Sequence, residues 1–313
     1  MNPYSERSFF SFFSVLVDRV GAFFRGEAIS FATDEVQLLV LILIALSASI
    51  LGTFLVLRKM TMLANSLSHT VLIGIVGAYL LGKVFFASGE GMYALSFPLV
   101  LIGAVLTALL TTMSTEFLHQ KLRLQKDASI GLIFTSFFAL GIVLVTLLSR
   151  NSHLGIEAIM GNVDALHVDS VKQVFYLFLF NAALCFFFFR RLEIASFDPS
   201  FAKNVGISLL FFNTLLMFQT ALTAIGSFRA VGAFLFLAFL VAPVLTARFF
   251  TKRLKPLLFL SCGVAVFASI VSVALSRHFL SVYHLPLSTS GLAVVVLGAF
   301  FLGGACRTLK RSR

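Results

Sequence analysis

The sequence predicts an all-α integral membrane protein that crosses the bilayer about nine times. Three observations favour this fold class. Of the 313 residues, 59% are hydrophobic and only 12% are charged, whereas a soluble domain carries about 25% charge. The mean hydropathy is +1.02. The apolar residues also form long runs, and the short connectors between them hold most of the cations. No soluble core could hide so much apolar surface, so the chain must be solvated by lipid.

Nine apolar runs give the number of membrane crossings. A bilayer core of about 30 Å requires about 20 apolar residues in a helix. The connectors are short, and none of them contains a soluble domain. The predicted helices cover residues 36–57, 61–82, 95–116, 129–149, 171–189, 205–226, 231–250, 257–279 and 286–304.

The first 35 residues form a different segment. The stretch SFFSFFSVLVDRVGAFF is rich in phenylalanine, but Asp18 and Arg19 interrupt it. A segment with this mixture favours a helix that lies in the membrane interface. We therefore divide the chain into an N-terminal interfacial segment, 1–35, and a transmembrane domain, 36–313.

The positions of the cations predict the orientation of the helices. Alternate connectors hold most of the 24 Lys and Arg residues, beginning with the connector that contains Arg58 and Lys59. Cytoplasmic connectors carry this excess, so the N-terminus is expected outside and the C-terminus in the cytoplasm. The cations form no stripe with exposed aromatic residues. The net charge of +11 therefore indicates membrane topology rather than nucleic-acid binding.

The second apolar run begins with a polar stretch, TMLANSLSHT. Met62, Asn65 and His69 share one helical face because they are three and four residues apart. At 1.5 Å per residue, His69 lies about 12 Å from Thr61, near the middle of the membrane. Thioether, amide oxygen and imidazole are all metal ligands in proteins. From spacing alone, His69 either lines a pathway or packs against neighbouring helices, as small polar residues in membranes do.

Proline and glycine mark two further helices. Pro243 lies in the middle of FLAFLVAPVLTARFF, where it removes one backbone donor. This predicts either a bend that lines a cavity or a proline tolerated by helix packing. The last run contains Gly291, Gly298, Gly303 and Gly304, which predict close approach of another helix.

One cytoplasmic connector, 193–208, is long enough for a short helix. Asp198 followed by Pro199 is typical of an N-cap and a first helical residue. Ala202 and Gly206 are four residues apart and would leave a smooth helical face. The segment is therefore either a docking element for a soluble partner or a capped surface turn.

Six segments, taken in order, resemble successive motifs of the ABC-3 family, the membrane subunits of bacterial ABC importers of manganese, zinc and iron. The resemblance covers most of the chain after residue 35. The segments are LRKMTMLANSLSHTVLIG, KDASIGLIFTSFFALGIVL, IMGNVDAL, FDPSFAKNVGIS, VGAFLFLAFLVAPVLTARFF and HLPLSTSGLAVVV.

The resemblance implies an ABC-3-type permease in the bacterial cytoplasmic membrane. A second permease subunit, identical or different, would complete a dimer. Cytoplasmic ATP-binding subunits and an extracytoplasmic metal-binding protein would be its other partners. The divalent metal ion would be transported, with no permanently bound cofactor. The chain has no G-x-x-x-x-G-K-[ST] phosphate loop, so we expect a non-catalytic subunit whose partner hydrolyses ATP.

The same resemblance assigns residues. His69 matches a histidine of the family's metal pathway, but Asn65 stands where the family has an aspartate. An amide oxygen can ligate a hard cation, although it supplies no charge. Asp198, Ala202 and Gly206 match the signature of the helix that couples to the ATPase.

Other function classes remain as alternatives. The chain could be a permease for another ABC substrate, which the residues do not distinguish. A secondary transporter usually carries carboxylates within its helices. Here the 13 acidic residues lie in connectors, near helix ends or in the N-terminal segment. An intramembrane metal hydrolase would need a pattern such as H-E-x-x-H, which the sequence lacks.

Overall fold

The computed structural model describes residues 3–4, 9–25, 32–85, 97–149, 163–166 and 168–311. This part of the chain contains twelve α-helices and one 3-10 turn, Val163–Ala165, and it contains no strand. The helices are α1 (Phe9–Phe24), α2 (Thr33–Leu57), α3 (Thr61–Phe85), α4 (Phe97–Lys121), α5 (Lys126–Ser149), α6 (Val168–Phe187), α7 (Phe189–Phe197), α8 (Pro199–Asn204), α9 (Leu209–Val231), α10 (Ala233–Arg248), α11 (Leu254–Tyr283) and α12 (Thr289–Arg311).

The predicted fold class is confirmed, because each of the nine apolar runs contains a long helix, α2 to α6 or α9 to α12. Among the described residues, seven of these are long and apolar enough to cross a bilayer. Helix α10 has only 16 residues, and α4 carries four buried threonines. Their hydroxyls bond within the membrane domain; Thr112, for example, donates to the Ala108 carbonyl over 2.8 Å.

The N-terminal segment contains α1, a helix held to the start of α2. Glu35 of α2 accepts a hydrogen bond of 2.9 Å from the Tyr4 hydroxyl and forms an ion pair with Arg19 of α1. The rings of Tyr4 and Phe12 lie 4.9 Å apart. Phe10, on the other hand, is 82% exposed. A helix with one anchored face and one exposed aromatic face suits the membrane interface, which stays a prediction.

The contacts of the chain form two compact units. The first comprises Met1–Thr53, Gly161–Phe180 and Ala230–Arg313. The second comprises Phe54–Met160 and Asn181–Arg229. Each unit therefore combines segments that are distant in sequence.

In the first unit, α2 and α10 approach backbone to backbone. A Cβ atom at Gly52 would overlap the backbone oxygen of Leu240, so only glycine fits there. One turn away, the Ser49 hydroxyl lies 3.5 Å from the carbonyl oxygen of Phe239. Pro243 lacks the amide that would normally reach this carbonyl. The predicted mid-helix proline is therefore in place, and Ser49 supplies the donor that it removes.

A polar cavity lies where several elements of the first unit end. Asp34, at the start of α2, forms an ion pair with Arg277 of α11. Asp164, in the 3-10 turn, accepts hydrogen bonds of 2.7 Å from Gln37 and from Thr289 of α12. These groups surround a cavity of about 400 Å³. By the predicted orientation, this cavity lies on the extracytoplasmic side.

In the second unit, α3 and α4 meet at two glycines. A Cβ atom at Gly74 would lie 2.7 Å from the carbonyl oxygen of Gly103, and one at Gly103 would overlap the oxygen of Gly74. One turn along α3 and two turns along α4, the hydroxyls of Thr70 and Thr111 are 3.3 Å apart. Small residues thus let these helices pack closely enough to share hydrogen bonds.

The glycines of α12 behave differently from the sequence prediction. At Gly291, Gly298 and Gly303, an added Cβ atom would meet nothing within 4 Å in the chain. Only Gly304 is in close contact, with the ring of Phe249 at 2.9 Å. Within the described chain, no helix faces Gly291, Gly298 or Gly303, so the predicted close helix approach is not seen at these three positions.

Candidate functional site

The turn before α3 sets where the helix begins and therefore how far along it His69 lies. Lys59 has a φ of 55°, and the amide of Met60 donates to the carbonyl of Leu55 over 2.9 Å. This bond spans six residues and closes α2 in a Schellman motif. Because α3 then begins at Thr61, His69 lies about 12 Å along α3.

The imidazole of His69 lies against two aromatic rings of α5. Its centroid is 5.3 Å from that of Phe134 and 5.6 Å from that of Phe138. The two phenylalanine rings stack on each other at 6.0 Å. Phenylalanine has no hydrogen-bonding atom, so these contacts orient the imidazole without using its nitrogens.

The face around His69 opens away from the rest of the chain. Met62 is 63% exposed, Asn65 is exposed and His69 is half-buried. The neighbouring Met60 is buried, so Met62 is the methionine whose sulfur can reach an ion on this face. The structure thus places all three predicted residues on one accessible surface. The described residues contain no group of three His, Cys, Asp or Glu side chains that could hold a metal.

Arg58, beside this turn, is a cation in partly buried surroundings. Burial lowers the pKa of its guanidinium to about 10. Its Nη1 atom is buried and has no hydrogen-bond partner in the structure. Because a pKa of about 10 still leaves the group charged at neutral pH, Arg58 keeps the positive charge used in the orientation prediction.

The connector 193–208 folds into α7 and α8 through strong local signals. The Asp198 carboxylate accepts a hydrogen bond of 2.9 Å from the Phe201 amide, and Pro199 is the first residue of α8. Both predicted roles are confirmed. Gly206 closes α8 with a φ of 78°, and the Ile207 amide donates to the Ala202 carbonyl over 2.8 Å. This is a second Schellman motif.

The surface of α8 differs from the predicted smooth face. Ala202 is fully buried, so it holds α8 against the chain and offers no atom to a partner. Phe201 and Val205 are instead 51% and 55% exposed. These exposed apolar side chains and Lys203 form the outer surface of α8. Asp198 and Gly206 shape this surface from its two ends.

Comparison with known proteins identifies the family. The model of the ABC 3 transport family matches residues 35–307. The chain belongs to this family. It is 37% identical over 305 residues to a probable metal transport system membrane protein of Chlamydia muridarum, covering 97% of this chain and 93% of the relative. It is 36% identical over 273 residues to the manganese transport system membrane protein MntD of Bacillus subtilis, covering 83% and 87%.

The fold also matches a solved structure. The chain aligns with PsaBC from Streptococcus pneumoniae in complex with Fab, with a TM-score of 0.71 and 26% sequence identity. The alignment covers 88% of this chain and 91% of that chain. The ABC-3 permease described here is therefore a multi-pass membrane protein.

One polar feature of this permease was missed from the sequence. Helix α9 buries a file of polar side chains along one side, and Asn181 of α6 joins it through a hydrogen bond of 2.7 Å to Thr223. The available signal was that polar residues recur at spacings of three, four and seven residues in the run 205–226 and at Ser227 just after it. The residues of α9 in this file are the half-buried Asn213 and the buried Gln219, Thr220, Thr223 and Ser227.

Proposed function

We propose that this chain is the membrane permease subunit of an ATP-driven importer of divalent metal ions. The observation that carries the proposal is the α3 face, where Met62, Asn65 and His69 present three metal-binding groups at mid-membrane depth. Family membership supports the transport class, and two relatives carry the name of manganese transport systems, MntD of Bacillus subtilis and MntC of Halalkalibacterium halodurans.

Neutral ligands on this face suit an ion in transit. A transport site must bind well enough to accept the ion and weakly enough to release it. One imidazole with an amide oxygen and a thioether supplies no negative charge, so it holds a divalent cation loosely. The amide oxygen of Asn65 suits manganese, whereas the Met62 thioether is a softer ligand, so the choice of metal rests on the names of the manganese transport relatives. We therefore propose Mn²⁺ as the principal substrate, with Fe²⁺ and Zn²⁺ as competitors.

The open α3 face needs a second surface to enclose an ion. Half of a pathway lined by one chain becomes complete when another permease subunit covers it, which supports the proposed dimer. The second subunit is either a copy of this chain or a related chain. An extracytoplasmic metal-binding protein would deliver the ion to this dimer.

The energy for import would come from cytoplasmic ATP-binding subunits that dock on α8. The exposed pair Phe201 and Val205 provides an apolar contact, and the caps at Asp198 and Gly206 keep the helix rigid. A rigid short helix can transmit a movement of the ATPase to the transmembrane helices. This role of the connector 193–208 follows from its exposure and its predicted cytoplasmic side.

Uptake by the reconstituted complex tests the proposed function. The permease, its ATP-binding subunit and its metal-binding protein are placed in proteoliposomes, and labelled Mn²⁺, Fe²⁺ and Zn²⁺ are supplied in turn. We expect ATP-dependent accumulation, fastest for Mn²⁺. Accumulation without ATP, driven by a proton or sodium gradient, would instead support a secondary transporter. No accumulation of any of the three ions would overturn the proposal.

A further inference from the structure

The buried polar file of α9 runs across much of the membrane. From Asn213 to Ser227 it extends about 21 Å at 1.5 Å per residue. At 100° per residue its members fall within an arc of about 120°. Gln219, Thr220, Thr223 and Ser227 are all buried, whereas Phe211 at the start of the helix is exposed. The helix therefore turns its polar side inward, as a helix that lines a polar route does.

Helix α6 also turns polar side chains inward and aromatic side chains outward. Asn181 and Cys185 are buried, one turn apart, while Phe186 and Phe187 are about four-fifths exposed, 80% and 79%. The Cys185 thiol lies beside the amide of Gln219. The two helices thus bring two amides and a thiol together inside the second unit.

A chain of hydrogen bonds fixes the orientation of the Asn181 amide. The Thr223 hydroxyl donates its one proton to the Gln219 backbone carbonyl, over 2.6 Å. It must therefore accept from Asn181, which places Nδ2 at 2.7 Å and turns the other amide atom, Oδ1, away. That Oδ1 is buried and has no hydrogen-bond partner in the structure. The unpaired atom is an acceptor, so what it lacks is a cation or a proton donor.

The side-chain amide of Gln219 is likewise short of hydrogen-bond partners, at both its oxygen and its nitrogen. The residue is fully buried, and apart from the Cys185 thiol beside it, neither Oε1 nor Nε2 has a hydrogen-bond partner in the structure. Burying an amide without partners is costly, and the hydrocarbon region offers no bulk water to relieve it. By contrast, the neighbouring Thr220 hydroxyl is satisfied, since it donates to the Leu216 carbonyl over 2.6 Å.

We propose that Asn181 and Gln219 form a second binding site for a hydrated divalent cation, which the ion occupies during transport. The inference rests on the proposed function, because it adds a second binding site for the same transported ion. The two amide oxygens would ligate the cation, and Nε2 of Gln219 would donate to a water in its shell. Carbonyl oxygens and water suit Mn²⁺, and the lack of charged ligands keeps the site weak enough for release.

Protection of Cys185 tests the site without measuring transport. In the full complex, Cys262→Ser with Cys306→Ser leaves Cys185 as the only thiol of this chain. A small neutral methanethiosulfonate is applied with Mn²⁺ or with choline chloride at equal ionic strength. We expect Mn²⁺ to slow the modification of Cys185 at least fivefold, as measured by mass spectrometry. Equal rates, or no modification in either condition, would overturn the proposal.

Two variants separate this site from its neighbours. Gln219→Leu should abolish the Mn²⁺ protection of Cys185, while Thr220→Val, which removes a satisfied hydroxyl one residue away, should keep it. His69→Ala should also keep it, because His69 belongs to the other face. If Gln219→Leu retains the protection, the site is not formed by this amide and the inference fails.

Thermal unfolding distinguishes loss of the binding site from misfolding of the Gln219→Leu variant. Gln219→Leu removes two unpaired buried atoms, so its unfolding temperature without Mn²⁺ should equal or exceed that of the wild type. The rise in unfolding temperature caused by Mn²⁺ should shrink. A variant destabilised equally with and without Mn²⁺ indicates that the amide only binds structural water, which contradicts the proposal. A wild-type complex that protects Cys185 but transports no metal would overturn the proposed function alone.

Discussion

The α3 face and the α8 surface differ in how completely this chain builds them. Helix α8 is closed at both ends by its own residues, Asp198 and Gly206, and is anchored by the buried Ala202. The α3 face is open, and its proposed ligands Met62 and Asn65 are exposed. A docking surface must hold its shape before the partner arrives. A pathway face can be completed by a second subunit, so its residues need only the right chemistry.

The first test changes the α8 surface alone and leaves the α3 face intact, so that the roles proposed for the two regions can be distinguished. Phe201→Asp together with Val205→Asp places two charges on an exposed apolar contact. We expect co-purification of the ATP-binding subunit to fall more than tenfold, while the permease still inserts and binds Mn²⁺. Association is measured by affinity capture of the tagged permease.

The matched control for the docking variant is Val282→Asp. Val282 is similarly exposed, at 50%, but lies at the predicted extracytoplasmic end of α11. Its change should leave the ATP-binding subunit bound. If both variants lose the subunit equally, the effect comes from general destabilisation, and α8 loses its special role.

The second test sharpens the chemistry of the α3 face. Asn65→Asp adds a carboxylate four residues from His69, where the resemblance to the family's motif predicts an aspartate. An added negative charge near a divalent cation should tighten Mn²⁺ binding about tenfold, or about 1.4 kcal/mol. Binding is measured by electron paramagnetic resonance of free Mn²⁺.

Asn65→Leu is the companion variant, since it removes the oxygen without adding charge. It should weaken binding, and neither variant should alter capture of the ATP-binding subunit. Unchanged Mn²⁺ affinity in both variants would exclude Asn65 from the site.

The smallest expected effect concerns the rigidity of α8. Gly206 has a φ of 78°, which costs a residue with a Cβ atom about 1–2 kcal/mol. Gly206→Ala should therefore lower the unfolding temperature and weaken ATPase association modestly. The control is Gly263→Ala within α11, where a Cβ atom meets nothing within 4 Å and the backbone is helical. That change should be neutral or stabilising, so equal losses in the two variants would count against the argument.

The sequence predicted the helices well because each membrane crossing is a local property of composition. The Asp198 cap was also predictable, since an N-cap followed by proline acts within four residues. Burial of Ala202 was not, because it depends on what lies beneath α8. The glycines show most clearly that tertiary contacts could not be predicted from the sequence. Gly52 packs against Leu240 and Gly298 faces open space, although both lie in apolar helices.

The proximity of the Asn181 and Gln219 amides could not be predicted from helical periodicity. The polar residues of α9 could have been seen as one stripe, but nothing in the sequence pairs that stripe with α6. Only the hydrogen bond between Asn181 and Thr223 shows it. In the same way, the sequence named His69 as a pathway residue through a family resemblance, whereas the aromatic rings of α5 that orient it came from the structure.

The most direct test of the account is Mn²⁺ uptake by proteoliposomes that contain the His69→Ala permease with its ATP-binding subunit and metal-binding protein. His119→Ala is the control, because His119 contacts the Leu124 carbonyl at the far end of α4. We predict that His69→Ala lowers ATP-driven uptake at least a hundredfold with assembly intact, and that His119→Ala retains it. Normal uptake by a fully assembled His69→Ala complex would contradict the assignment of the α3 face as the metal pathway.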